Sequence, residues 1–145
     1  MAPHTPELVE LEAGDPRWEQ ALPVLRELRP HLTDELLDQV LREGAPQGLR
    51  FLAAFESGRC VGVAGWRVLA TTKPGRKLYV DDLVTTNENR SAGVGTVLLR
   101  ELESRGRAAG CPVIELDSGV QRHGAHRFYL RERMHISSHH FSKEL

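Results

Sequence analysis

Arg90-Ser91-Ala92-Gly93-Val94-Gly95 lies between an apolar, strand-like run and an amphipathic helical pattern. Glycines at its fourth and sixth positions let the backbone turn sharply and bring bare N–H groups close to a ligand. The helix predicted to open near Val94 aims its unsatisfied amides and positive dipole end at the same place. Arg90 at the mouth adds a bidentate donor suited to phosphate. Loop, helix terminus and cation together predict a cradle for a diphosphate.

Two familiar phosphate loops do not fit this stretch. A P-loop needs Lys-Ser/Thr directly after its last glycine, and Thr96-Val97 follow Gly95 instead. A dinucleotide loop needs three spaced glycines after a first strand and an acid about 20 residues on. Here only Gly93 and Gly95 appear, past the middle of the chain.

The chain has 145 residues, 40% hydrophobic and 27% charged, which predicts one globular domain over residues 1–145. Its formal net charge of −1 argues against nucleic-acid and membrane-surface partners. No apolar run approaches the roughly 20 residues of a membrane span. The stretch from Met1 to Glu10 shows no basic or apolar leader region, so the expected location is cytoplasmic. Cys60 and Cys111 belong to no C-x-x-C pair and read as reduced, partly buried thiols.

Along the chain, Glu7–Glu12 alternates apolar and acidic residues as a first strand. Asp15-Pro16 is expected to open a helix carrying Trp18, Leu22, Leu25 and Leu28, with Pro23 as a possible kink. Thr33 is expected to cap a second, carrying Leu36, Leu37, Val40 and Leu41 and ending at Gly44. Three strands follow at Leu49–Glu56, Cys60–Ala70 and Lys77–Thr85, with Gly62 and Gly65 as bulge or close-approach positions. A long helix runs from near Val94 to about Ala109, closed by Gly110. Pro112–Asp117 reads as a strand, Gly124–Arg131 as a last helix and Met134–Ser142 as a final strand. The order β-α-α-β-β-β-α-β-α-β is an α/β (mixed-sheet, α+β) arrangement.

Val80-Asp81-Asp82-Leu83-Val84-Thr85 sets adjacent carboxylates in an otherwise apolar strand. Strand neighbours face opposite sides, so only one points into a given cleft. The parity of Asp81, Leu83 and Thr85 predicts a shared face, which a bulge would overturn. Burying a lone carboxylate is costly. Either one Asp pairs with an arginine while the other is solvated, or the pair serves a function.

The Arg-x-x-Gly-x-Gly stretch, its strand-loop-helix setting and Ala125-His126-Arg127-Phe128-Tyr129 resemble the GNAT acetyltransferases. The resemblance covers roughly Leu49 to the end and is strongest from Leu78 to Tyr129. It implies the GNAT acyl-CoA N-acyltransferase fold, and acetyl-CoA as co-substrate with no metal. The implied reaction is transfer of acetyl to a primary amine, on a small molecule or a protein, by direct attack. Arg90, Ser91, Ala92, Gly93, Val94, Gly95 and Thr96 would bind the diphosphate, and main-chain groups of Leu83, Val84 and Thr85 the pantetheine arm. Asp81 or Asp82 would assist deprotonation of the arriving ammonium, the parity favouring Asp81. Tyr129, one helical turn after Ala125, would protonate the departing thiolate. A homodimer is compatible with the family. The alternative is a non-catalytic acyl-CoA-binding or regulatory module of the same fold.

The chain departs from the family pattern at two places. Arg122 stands where asparagine is common, either a phosphate ligand or a solvated loop residue. Arg133-Met134 replaces a Gly-aromatic pair after the tyrosine. His123, His126, His135, His139 and His140 crowd the C-terminal third without metal-ligand spacing, so polar surface or a histidine lining the acceptor pocket is expected. Asp117-Ser118-Gly119 borders that pocket or makes a turn. The pocket itself is expected between the N-terminal helices and the final strand.

Overall fold

The computed structural model describes residues 5–86 and 93–145; Arg90, Ser91 and Ala92 of the expected cradle lie outside them. The elements are β1 (Glu7–Leu11), α1 (Trp18–Leu28), α2 (Asp34–Gly44), β2 (Arg50–Glu56), β3 (Arg59–Ala70), β4 (Arg76–Thr85), α3 (Val94–Ala108), β5 (Ile114–Leu116) and α4 (His123–Arg131). One mixed sheet runs in the order β1-β2-β3-β4-β5. Its first three pairings are antiparallel, and β5 joins β4 through the α3 crossover. The chain divides into two compact units, one running to Glu115 and one from Leu116 to Leu145.

Local chemistry accounts for the helix boundaries. The Thr33 hydroxyl accepts the Leu36 N–H at 3.1 Å, as its N-cap position requires. Asp15 behaves differently from expectation. Its carboxylate takes the N–H of Arg17 at 2.9 Å and that residue's guanidinium at 2.8 Å. Residues 15–18 thereby close a separate turn, and α1 begins only at Trp18.

Helices α1 and α2 cover one face of the first unit's sheet, where Trp18, Leu22, Leu25, Leu37 and Leu41 pack with Phe51, Val63 and Val84. Trp18 meets Phe51 edge-on at 5.1 Å, and its indole N–H donates to the Glu12 carbonyl at 3.0 Å. Helix α3 covers the other face with Leu98, Leu99 and Leu102 fully buried. The contact is close because Gly62 lacks a side chain. A Cβ there would stand 2.9 Å from Leu98 and 3.0 Å from Val94.

Within β4 the register slips by one residue: Gly65 pairs with Asp82, while Trp66 pairs with Val80. Asp81 is the extra residue, so β4 bulges at the acidic pair. The face alternation expected through Asp81, Leu83 and Thr85 therefore fails. Leu83 and Thr85 oppose Ala64 and Gly62, and Gly62 faces α3. The Asp81 and Asp82 carboxylates both turn to the α1/α2 side, as their partners show below.

The expected final strand at Met134–Ser142 is absent; residues 134–145 are irregular, with Ile136 75% and Phe141 90% exposed. Its three apolar residues are interrupted by serines and histidines, and among the described residues no strand offers them a ladder. Without a paired neighbour, extended chain does not persist in water. Arg133, in the left-handed region at φ +68°, ends the α4 turn where Met134 N–H donates to Tyr129 C=O at 3.0 Å.

Candidate active site

In the first unit, the bulge on β4 decides the electrostatics of the site. Asp81 is held in a bidentate pair by Arg67, Nε to Oδ2 and Nη2 to Oδ1, each at 3.0 Å. Arg67 also donates to the Gln47 side chain at 3.2 Å, just beyond α2. Asp82 Oδ1 accepts Arg29 Nε at 2.7 Å, and Arg29 Nη2 donates to the Asp81 carbonyl at 3.1 Å. Asp82 Oδ2 has no hydrogen-bond partner among the described residues. It lies over Gly65 beside the Phe51 ring; a Cβ on Gly65 would sit 3.2 Å from Oδ2 and 2.9 Å from that ring. Both carboxylates are half-buried on the same face, which strand parity alone excluded.

A cleft of about 170 Å³ opens in front of Asp82. Leu25, Leu32, Leu36, Leu37, Val40 and Phe51 wall it, with Arg29, His31 and Asp82 as its polar members. It lies between α1, α2 and the sheet. No final strand contributes to it. Arg29, Arg67 and His31 escaped the sequence reading because their partners are set by the fold: Arg29 and Asp82 stand 53 positions apart. No local spacing marks such a pair.

The main chain of the same strand is set by its register. Thr86 N–H donates to Val61 C=O at 3.0 Å. By the alternation of an antiparallel ladder, the main-chain groups of Asp82 and Val84 then point at β3, and those of Leu83 and Thr85 point away. Val84 is also committed through its side chain, packed in the α1/α2 core. β5 begins beside Leu78, whose N–H donates to Val113 C=O at 3.1 Å, and is only three residues long. β4 continues past it to Thr85.

Gly93 caps α3 in the left-handed conformation, φ +82°, and nothing lies within 4 Å of where its Cβ would be. Glycine is therefore called for by backbone angle rather than by space. The first helical bond runs from Val97 N–H to Gly93 C=O at 3.1 Å. The amides of Val94, Gly95 and Thr96 thus lack a helical acceptor, no side chain among the described residues caps them, and no acid stands in the first turn. Such a terminus suits an anion.

In the second unit, Tyr129 is half-buried on α4. Burial pushes its hydroxyl pKa up, against the opposing charge and hydrogen bond of Arg122. Arg122 is thus a partner of the tyrosine. Asp117-Ser118-Gly119 leads irregularly out of β5, and the turn itself lies one step on, over Val120 and Gln121: Gly119 C=O accepts Arg122 N–H at 3.0 Å and lies 2.8 Å from His126 Nε2. The Ser118 hydroxyl is buried without a hydrogen-bond partner among the described residues. His140 pairs with Asp117 at 3.5 Å, and His123 stacks edge-on against His126 at 6.1 Å. Among the described residues no three His, Cys, Asp or Glu side chains gather as metal ligands, and no helix is long and apolar enough to cross a membrane.

Comparison with known proteins agrees with this arrangement. The model of the acetyltransferase (GNAT) family matches residues 7–134. An uncharacterized N-acetyltransferase of Bacillus subtilis, YhdJ, is 34% identical over 113 residues, covering 77% of this chain and 80% of that protein. The aminoalkylphosphonate N-acetyltransferase of Salmonella typhimurium is 30% identical over 120 residues, 79% of this chain and 78% of that protein. The fold is shared with the aminoglycoside N-acetyltransferase AAC(6')-Iy solved in complex with CoA, at TM-score 0.82 and 13% identity, covering 100% of this chain and 99% of that one. The uncapped α3 amides and the outward main chain of Leu83 and Thr85 fit the diphosphate and pantetheine arm of coenzyme A. With the family model spanning most of its length, the chain belongs to the GNAT family, as an acetyl-CoA-dependent N-acetyltransferase.

Proposed function

We propose that the enzyme transfers acetyl from acetyl-CoA to the primary amine of a small-molecule acceptor by direct attack, without a covalent enzyme intermediate. One observation carries this reading. On β4, the cleft-facing carboxylate of Asp82 is followed immediately by the outward main chain of Leu83. Consecutive Cα atoms are about 3.8 Å apart, so one strand holds acceptor and donor in reach of each other. The Salmonella relative, named for an aminoalkylphosphonate, supports an acceptor of small size.

Acetyl-CoA supplies the activated acyl thioester. Arg90 to Thr96 hold its diphosphate, and Leu83 and Thr85 hold its amide-bearing arm. The acceptor arrives as an ammonium ion, with a pKa of about 10 for an alkyl amine. Asp82, with Oδ2 unbonded among the described residues, draws in that cation and relays its proton through water. Asp81, with both oxygens on Arg67, takes the supporting role of fixing the bulge. This shifts the weight from Asp81, favoured by parity, to Asp82. Tyr129 stays protonated because burial raises its pKa, and it gives its proton to the leaving thiolate. Arg122 beside it steadies the phenolate that results.

Isothermal titration with acetyl-CoA and with S-acetylpantetheine, which lacks the diphosphate, tests the donor site. Micromolar binding of the first and much weaker binding of the second are expected. Asp82→Asn and Tyr129→Phe should keep acetyl-CoA affinity while losing roughly 10²-fold in amine-dependent thiol release. Absence of acetyl-CoA binding overturns the proposal; full activity in both variants overturns its mechanism.

A further inference from the structure

We infer that the acceptor is a short zwitterion: a primary amine beside an acid group, carrying a compact apolar side chain, as in a branched or aromatic amino acid. This rests on the reading above and narrows it from three features of the α1/α2 cleft. The first is the wall chemistry. Leu32, Leu36 and Val40 from the helical side and Phe51 from β2 offer no hydrogen-bonding side chain. The hydroxyls of a sugar or polyol set against them would give up water without replacement. The second is size. At about 170 Å³ the cleft compares with the roughly 150 Å³ apolar cavity that takes a benzene ring. One ring or one branched chain fits.

The third is charge. Asp82 and Arg29 are already paired at 2.7 Å, so together they carry no net charge. Each keeps one unused group among the described residues: Oδ2 on Asp82 and Nη1 on Arg29. A bare amine would satisfy Oδ2 but set a second cation beside the guanidinium. An acceptor with an acid next to its amine places ammonium on Oδ2 and acid on Nη1. The result is an alternating cluster in which every charge faces its opposite.

The test measures binding by saturation-transfer NMR in the presence of coenzyme A, and thiol release with acetyl-CoA. The probes are L-phenylalanine, L-leucine, phenethylamine (no acid), glycine (no side chain) and glucosamine. The phosphonate analogue of phenylalanine separates a carboxylate preference from a phosphonate one. Phenylalanine or leucine should exceed phenethylamine, glycine and glucosamine by about tenfold or more in kcat/KM and in affinity. Arg29→Gln should shrink the advantage of phenylalanine over phenethylamine to about threefold or less. Val40→Phe, on a partly exposed position that tolerates a larger ring, should erase the advantage of leucine over glycine. Phenethylamine or glycine matching the amino acids overturns the inference, and so does the absence of amino-acid binding. Acetyl-CoA binding with no preference in the panel sinks this inference alone. Amino-acid binding without acetyl-CoA binding upholds the pocket and sinks the catalytic reading.

Discussion

Gly65 has no room for a methyl group, and that determines where two other side chains stand. Its Cβ would press on the Phe51 ring at 2.9 Å and on Asp82 Oδ2 at 3.2 Å. Phe51 is buried against Trp18 and cannot yield cheaply. Gly65→Ala is therefore expected to destabilise the fold by about 1–3 kcal/mol and to displace Asp82. Amine kcat/KM should fall while acetyl-CoA affinity is unchanged; equal loss of both would show general unfolding instead. Cys60 makes a prediction of another kind. Burial pushes its thiol up to about 11, against about 8.5 in an unfolded chain. Below the lower value the thiol is protonated in both states and costs nothing. Above it the unfolded chain loses the proton first, so stability falls as pH rises toward 11, by at most roughly 3 kcal/mol. Urea unfolding at pH 8 and pH 10 should show a steeper decline in the natural protein than in Cys60→Ala. Parallel declines would place the thiol in contact with water.

At the scale of elements, boundaries set by near neighbours were readable and those set by distant ones were not. Thr33 and Gly93 announce two helix starts and Gly110 one end, because capping and left-handed turns are matters of a few adjacent residues. Helix α2 does end at Gly44 as expected, but that glycine stays helical at φ −77°, and the left-handed turn comes only at Gly48. Thr33→Ala should cost about 1 kcal/mol in chemical denaturation, with Leu36 N–H left to water; no change would mean that the hydroxyl bond is replaced at no cost. Gly65 was readable as a bulge or close-approach position, and the register does slip between Gly65 and Trp66; that the extra residue is Asp81 was not readable, since it arises from how β4 registers on β3. It reverses the parity argument and places both acids on one face. The absent last strand follows the same rule. Residues 134–145 alternate just enough to look extended, but a strand needs a partner that composition does not reveal.

Across the whole molecule, protection should follow the packing. Backbone amides in β2, β3 and β4, which are paired on both sides, and in α3, whose leucines are fully buried, are expected to exchange slowest with deuterium. Residues 134–145, without a ladder and with exposed Ile136, Phe141 and Leu145, should exchange within the dead time. Slow exchange there would mean that these apolar side chains are covered in solution.

The family, the order of elements up to α4 and the glycine-led start of α3 were determined by the sequence itself. Each depends on periodicity, turn chemistry or glycine spacing, which act over a few residues. The arginine partners of the two aspartates, the choice of Asp82 over Asp81 as the cleft carboxylate, and the apolar cleft beside it were decided only by tertiary structure. Each joins groups far apart in the chain, as Arg29 joins Asp82 across 53 positions. Ion pairs and cavities have no period, so they exist only once the sheet has set its register and the helices have closed on it.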